Sequence, residues 1–325
     1  MTAIPDLQLV DRLAELPYRV RPITRPPVAT WPLTGSDRGR VTIVWPSQYQ
    51  WAPLEPIVEA LKLGFTRLGI LQVASTAQVH QGGVLLRCTV DGRPRAVFMD
   101  ISDYPTFISQ DALAECDLYF KCQFQAEGYG DDRIIPGGYP TTNGRFYKFY
   151  LPFRSRYAGD RRIDVLGRFG YRFQEALRRK AVGLLSAAPD IRFAGNDGKV
   201  RYSRFLREGA SARLCLHLPG NGPFTHRVAE FLGLGSCMVA VRFTTTLHVP
   251  LEAGVHYVAI ADDLSDLVDT CRYYVRHDEE RERIATNGRD FFDRYLHCDQ
   301  LASYHVREIL HHLGHPRDDG ERLTR

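Results

Sequence analysis

Thr225, His226, Arg227 and Glu230 follow closely on a run of turn-forming residues, Leu218-Pro-Gly-Asn-Gly222 and Pro223. Upstream, Leu214 to Leu218 is a short apolar run of the kind that forms a buried parallel strand. Pro219, Gly220, Asn221, Gly222 and Pro223 break that run into a loop. Thr225 is placed to cap a helix by accepting from an amide two or three residues on. His226 and Arg227 then fall in the first helical turn, where free amides and the helix dipole favour an anion. Glu230, three residues after Arg227 and four after His226, shares their face. The two acceptor oxygens of its carboxylate match the two hydroxyls of a ribose. One helix start therefore offers a phosphate site and a sugar-diol site, a pairing suited to a nucleoside diphosphate.

These residues need a scaffold, and the second half of the chain reads as one. Strands are expected at 163–167, 191–195, 214–218, 237–241 and 255–260. Helices are expected at 171–185 and 201–207, after Thr225, from the caps Asp263 and Asp278, and at 300–313. Strands alternating with helices imply a parallel sheet covered on both faces. In the first half, Val41 to Trp45 reads as the first strand and 54–64 as a helix. Asp91-Gly92 signals a hairpin between two apolar runs. Phe98 to Asp103 ends a strand with acids at its edge, and further strands are expected at 117–121 and 133–136. Two α/β halves of this kind would place a cleft between the carboxyl ends of their strands. The expected division is an N-terminal domain over 1–160, which includes a short helix at 6–15 and a proline-rich arm. A second domain follows over 161–300, then a C-terminal helix free to pack back on the first domain and a loose tail, 301–325.

At 325 residues, 44% hydrophobic and 25% charged, the chain has the make-up of a soluble globular protein. It contains no apolar run of 18 residues and no signal-peptide pattern at its start, and cytoplasmic residence is expected. The seven cysteines lack paired metal spacing and mostly sit in apolar runs, as small buried hydrophobes in a reducing compartment do. No metal site is expected. Only five of the 42 basic residues are lysines. The arginine bias has two sources open to it, a GC-rich genome and recognition of phosphate or carboxylate by the planar guanidinium. No basic block interleaved with aromatics points to nucleic acid. No G-x-G-x-x-G follows a strand, which argues against a dinucleotide oxidoreductase.

From about 164 to 310 the sequence resembles the nucleotide-sugar domain of GT-B glycosyltransferases, closest to the group-1, exostosin-like and CAP10-like branch. The residues that carry this are the loop 218–222, Thr225 to Glu230, Gly235 to Ala240, Gly254 to Val258, 262–267 and 280–292. The resemblance implies a GT-B fold of two Rossmann-like domains and transfer of a sugar from a nucleoside diphosphate donor to a hydroxyl-type acceptor. Donor binding would fall to Arg227 for the diphosphate and Glu230 for the ribose, with Thr225, His226 and the loop residues Gly220, Asn221 and Gly222 around them. Such a domain usually takes another cation from the loop after its first strand, where Arg168 and Arg172 are available. Fixed cations can stabilise the leaving diphosphate, so the family implies no metal requirement. Many group-1 enzymes carry a second glutamate eight residues before the ribose glutamate. Here that position is Gly222, and the stereochemical course stays open.

A transferase of the inverting type needs a base for the acceptor proton. Asp103, just beyond a strand end, is the first candidate, with an Asx turn or helix cap as its alternative role. Asp100 and His80 are further candidates, and Glu127 another. Tyr49 and Trp51 could stack on the acceptor, though packing at a domain edge is equally open to them. His248 could reach the donor sugar, and His256 reads as structural. Two other functions share the donor site: a GT-B epimerase acting on a nucleotide sugar, and a non-catalytic nucleotide-sugar binding protein. Peripheral membrane contact is left open.

Overall fold

The structure is a computed structural model that describes residues 22–49, 55–75, 79–141, 143–157, 159, 161–195 and 200–314. The expected helix at 6–15, Trp51 and the tail beyond 314 lie outside the described residues.

The first unit is built on a mixed sheet. Its strands are β1 (Val41–Pro46), β2 (Leu71–Ala74), β3 (Val79–His80), β4 (Gly83–Val90), β5 (Arg93–Asp100), β6 (Leu118–Lys121) and, after the two-residue strand β7 (Phe124–Gln125), β8 (Ile134–Pro136). The order is β2-β1-β4-β5-β6-β8, with β3 on β4. The sheet is parallel at β1–β2 and β5–β6–β8 but antiparallel at β1–β4 and β4–β5. The β4–β5 pair is the hairpin expected at Asp91-Gly92: both residues take positive φ, 49° and 76°, and fold β4 directly onto β5 without a crossover helix. The helices of this unit are α1 (Gly35–Gly39), α2 (Glu55–Leu68) and α3 (Gln110–Glu115).

The stretch over 137–160, read as a connecting segment, contains a helix, α4 (Phe146–Tyr157). It buries Phe146, Tyr147, Phe149, Tyr150 and Phe153. Burying an aromatic ring of this size is worth about 1.5–3 kcal/mol, enough to hold a helix whose in-sequence patterning is poor.

The second unit is a five-stranded, all-parallel sheet: β9 (Ile163–Leu166), β10 (Phe193–Ala194), β11 (Ala212–His217), β12 (Cys237–Val241) and, after β13 (Thr245–Thr246), β14 (Val258–Ile260). Its helices are α5 (Glu175–Ser186), α6 (Tyr202–Ser211), α7 (His226–Leu234), α8 (Leu267–Arg276) and α9 (Asp278–Phe291), the last running into a π-helical turn, Phe292–Leu296. The strand order is β10-β9-β11-β12-β14. The chain leaves β9 to one side for β10 and returns to the other for β11. The loops after β9 and β11 therefore diverge at the strands' carboxyl ends and open a crevice there.

The two units meet at the carboxyl ends of their strands. β7, from the first, pairs antiparallel with β13, from the second. The last helix, α10 (Cys298–Leu313), crosses back onto α2. A Cβ at Gly64 of α2 would overlap the Cys298 carbonyl and Ala302, so this crossing requires a glycine there. Arg67 binds both carboxylate oxygens of Asp299, and Tyr304 donates to the Pro136 carbonyl at 2.7 Å. All seven cysteines are buried and unbridged.

Candidate donor site

The crevice between the loops after β9 and β11 holds His226 and Arg227, with Thr225 at the helix start beside them. Thr225 has extended backbone (φ −132°, ψ 166°), and its hydroxyl accepts from the Arg227 amide at 3.3 Å, capping α7. Gly235, at φ 71°, ends that helix in the left-handed region. The Arg227 guanidinium lies over the rings of Phe169 and Phe205, 5.6 and 5.9 Å from their centroids. Its Nε is buried and has no hydrogen-bond partner.

A second guanidinium faces the same Phe169 ring, at 5.6 Å, and it belongs to Arg178 on α5. Arg178 is 4% exposed. It donates to the Gly170 carbonyl (2.6 Å) and the Pro219 carbonyl (2.7 Å), tying together the loops after β9 and β11. Among the described residues no carboxylate forms a salt bridge with Arg178 or Arg227, although the Glu230 charge works against the fall that burial imposes on the Arg227 pKa. Burial, then the neighbouring Arg227 charge, bring the Arg178 pKa down to about 10. His217, at the end of β11, is fully buried and neither ring nitrogen has a partner. Burial and the charges of Arg227 and Arg178 push its pKa down to about 3, so it is neutral at neutral pH. The same causes hold His226 low. The buried Arg178 and the half-buried Arg227, neither in a salt bridge, lie beside two imidazoles and a helix N-terminus, an arrangement that favours an anion.

This cluster borders a cavity of about 670 Å³ whose walls include Phe169, Tyr202, Phe205, His226 and Arg227. That volume is in the range of small-ligand sites. Glu230 does not line it. Its carboxylate is fully buried, and Oε1 accepts from the Tyr202 hydroxyl at 2.6 Å and from Thr141 at 3.3 Å. Oε2 has no hydrogen-bond partner and lies 4.0 Å from His226 Nε2. Burial raises the Glu230 pKa to about 7, against the opposing pull of Tyr202, Arg227 and Thr141. Tyr202 thus stands between Glu230 and the cavity.

Several residues singled out in the sequence are engaged elsewhere. Arg168 borders the cavity, but its guanidinium is held by both Glu208 oxygens (2.5 and 3.1 Å), one of which also accepts from Arg204, and by the Gly195 carbonyl (2.9 Å), so it is already paired. Arg172 is exposed and stacks on Phe173. The helix expected from 171 starts at Glu175, after Gln174 at φ 51°, which leaves Arg172 outside it. Asp100 is not presented to a substrate: it is fully buried and bonded to Lys121, Tyr119 and the Ser102 amide. His80 is buried against Phe98, 3.9 Å from Glu115. Tyr49 accepts from Trp45 Nε1 and donates to Glu59 at 3.0 Å. Glu127 is exposed in a turn. His248 stacks on Tyr304 of the last helix and lies tilted against Trp31 of the arm. His256 accepts from the Glu252 amide at 3.0 Å.

Asp103 is different. It is half-buried and reaches the loop 218–224 from the other unit: Asn221 Nδ2 donates to its carboxylate at 3.4 Å. A Cβ on Gly222 would overlap the Asp103 carbonyl oxygen and the Gln123 side chain, so glycine is what permits this approach. Gln123, also fully buried, donates to the Phe224 carbonyl (2.8 Å) and accepts from its amide (3.2 Å). The loop 218–224 is thus fixed by Arg178 from its own unit and by Gln123 and Asp103 from the other.

One group of described residues brings metal-ligand types within 4.8 Å of one another, His297, Cys298 and Asp299. Asp299 is occupied by Arg67, and His297 accepts from the Asp299 amide at 3.2 Å, so the group serves as the cap of α10.

Residues 161–306 match a family model described as glycosyl transferase-like. That stretch is a little under half of the chain and contains the entire cationic cluster. No match is found among curated proteins. Among solved structures, the chain is similar to HepE of Anabaena in complex with UDP-glucose, at 15% identity and a TM-score of 0.41, over 67% of this chain and 72% of that one. It is also similar to a Listeria monocytogenes protein assigned as a UDP-N-acetylglucosamine 2-epimerase, at 16% identity and a TM-score of 0.38, over 64% and 62%. The architecture is two α/β units with the carboxyl ends of their strands turned toward each other. Among the described residues no helix is long and apolar enough to cross a membrane.

Arg178, His217, Tyr202 and Gln123 were not singled out in the sequence. A signal for Arg178 exists. It shares the inward stripe of α5 with Ala181 and Leu185, at spacings of three and seven, and an arginine on an apolar face is a cue for a buried polar role. His217, Tyr202 and Gln123 carry no comparable signal, because their surroundings come from distant segments.

Proposed function

We propose that this protein transfers a glycosyl group from a nucleoside diphosphate sugar to a hydroxyl-type acceptor. The observation that carries the reading is the pair of neighbouring guanidiniums, the buried Arg178 and the half-buried Arg227, with no salt bridge to either at the crevice of a parallel sheet. A diphosphate brings the negative charge this cluster lacks, and the cavity beside it has room for the nucleoside. Glu230 takes the ribose hydroxyls once Tyr202 gives up its bond to Oε1. Thr225, His226 and the loop residues Gly220, Asn221 and Gly222 frame the phosphates.

In the transfer, the acceptor oxygen forms a bond to the anomeric carbon as the bond from that carbon to the diphosphate oxygen breaks. The electron pair leaves with the nucleoside diphosphate, and Arg178 and Arg227 stabilise its developing charge. The acceptor proton passes to Asp103, which burial holds above the ordinary carboxylate range. The guanidiniums supply the positive charge, so we expect no cofactor and no metal requirement. The domain limits proposed from the sequence, 1–160 and 161–300, assign Asp103 and the acceptor to the first unit and the donor to the second. The group-1, exostosin-like and CAP10-like branch and residence in the cytoplasm are part of the same reading.

Calorimetry against UDP, GDP, TDP, ADP and CMP tests it. One nucleoside diphosphate should bind with a dissociation constant well below millimolar. Failure of all five at about millimolar concentration removes the proposal.

A further inference from the structure

The first unit contains a buried ion pair that the donor site does not use. Asp100 ends β5, Lys121 ends β6, and the two are direct partners in the parallel register. Both side chains are fully buried. Lys121 Nζ has three donors and uses all of them: Asp100 at 3.0 Å, the Ser102 hydroxyl at 2.7 Å and the Tyr104 carbonyl at 3.0 Å. Asp100 in turn accepts from the Ser102 amide at 2.7 Å and from the Tyr119 hydroxyl.

Two of the three lysine bonds therefore go to residues 102 and 104, the immediate neighbours of Asp103. The loop leaving β5 is gripped on either side of Asp103, whose own carboxylate is left free of the pair and meets Asn221 of the donor loop. An apolar pair of similar volume would fill the same space at equal or better stability. What an ammonium adds is a fixed tripod under the loop and a positive charge near the Asp103 carboxylate.

We propose that Lys121, supported by Asp100, is a positioning residue for Asp103: it fixes the loop that presents this carboxylate to the donor. This rests on the reading of Asp103 as the proton acceptor. The groups facing Asp103 are Lys121 on β6, whose charge draws its pKa down, and Asn221, which does the same by hydrogen bonding. Tyr139 also faces it, with a hydroxyl pushed up by burial and by the Asp103 charge, and Asp100 lies behind Lys121. The Lys121 charge opposes the rise that burial imposes on Asp103.

The test uses the full chain and follows release of nucleoside diphosphate from UDP-glucose and the matching GDP, TDP and ADP sugars, with water as acceptor, from pH 4.5 to 9. Lys121→Met should lower kcat between about tenfold and 100-fold, the cost of a small misplacement at a reacting centre. Donor KM should stay within about twofold, because the substitution leaves the donor-binding arginines untouched. Its acidic limb in kcat should move to higher pH, since the ammonium is gone and the Asp100 carboxylate remains. Ser102→Ala removes one leg of the tripod and keeps the charge. It should lower kcat with no movement of the limb, and it carries the test if Lys121→Met does not fold. Wild-type kcat and limb in a folded Lys121→Met, or wild-type kcat in Ser102→Ala, with Asp103→Asn inactive, overturns the positioning role alone. Wild-type turnover in Asp103→Asn overturns the underlying reading.

Discussion

Arg178 and Lys121 are buried almost equally, at 4% and 0% exposure, yet their surroundings are opposite. Lys121, in the mixed sheet, is matched by a carboxylate and has every donor used. Arg178, in the parallel unit, sits beside a second guanidinium and bonds only to neutral carbonyls. A paired buried charge holds the fold in place. An unpaired one holds free energy in reserve for a ligand that brings the opposite charge. On the proposed reading the two units differ in role: the first supplies a rigid support, the second a site where the charge of Arg178 has no salt-bridge partner.

The largest test of this contrast is stability at the paired site. Lys121→Met strands Asp100 in the interior and should cost about 3–5 kcal/mol of unfolding free energy, read from urea denaturation. A variant as stable as the parent would break the comparison. Next comes the pH dependence set by Glu230. Its folded-state pKa of about 7 lies above its ordinary value of 4.5. The folded protein thus holds this proton more tightly than the unfolded chain. The stabilisation is complete below about pH 4.5 and is lost as pH rises through 7, by at most about 3 kcal/mol. Denaturation midpoints at pH 5, 6 and 7.5 should show this slope, and Glu230→Gln should flatten it.

Arg227→Ala sharpens the unpaired side. Loss of charge-assisted bonds to a diphosphate should weaken nucleotide affinity by about 100-fold, or about 2.7 kcal/mol, by calorimetry. Thermal stability of the free protein should fall far less than in Lys121→Met, because Arg227 forms no salt bridge and its removal also relieves the repulsion with Arg178. Gly222→Ala acts on the seam between the units. Overlap with Asp103 and Gln123 should cost about 1–3 kcal/mol in stability. The smallest effect is expected at Arg172→Ala. An exposed side chain stacked only on Phe173 should change stability by less than about 0.5 kcal/mol and leave nucleotide affinity unchanged.

The second unit was largely readable in the sequence, and the reason is local. A parallel sheet with short crossovers writes its strands as apolar runs and its loops as glycine and proline, and the Thr225 cap and the Gly235 stop follow from neighbours in the chain. The first unit was less readable. Its hairpin declared itself through Asp91-Gly92, but α4 did not, since its aromatic residues are helical only by virtue of what they pack against. At the site, Arg227 and the loop around Gly220 and Gly222 were found from spacing, whereas Arg178 and His217 were missed. Arg168 and Arg172 were assigned by proximity to a loop, and the Glu208 that pairs with Arg168 stands forty residues away.

Residue type and spacing alone determined where a helix N-terminus would meet a glycine-rich loop, and that an arginine and a glutamate would share its face. That much depends on backbone geometry within one turn. The tertiary structure decided which charges are free. Whether an arginine awaits a ligand or is already satisfied depends on carboxylates and carbonyls brought in from other segments. It also turned Asp103 toward the loop 218–224 and Asp100 into the interior, where Lys121 pairs with it, a difference that two acids three residues apart do not declare in sequence.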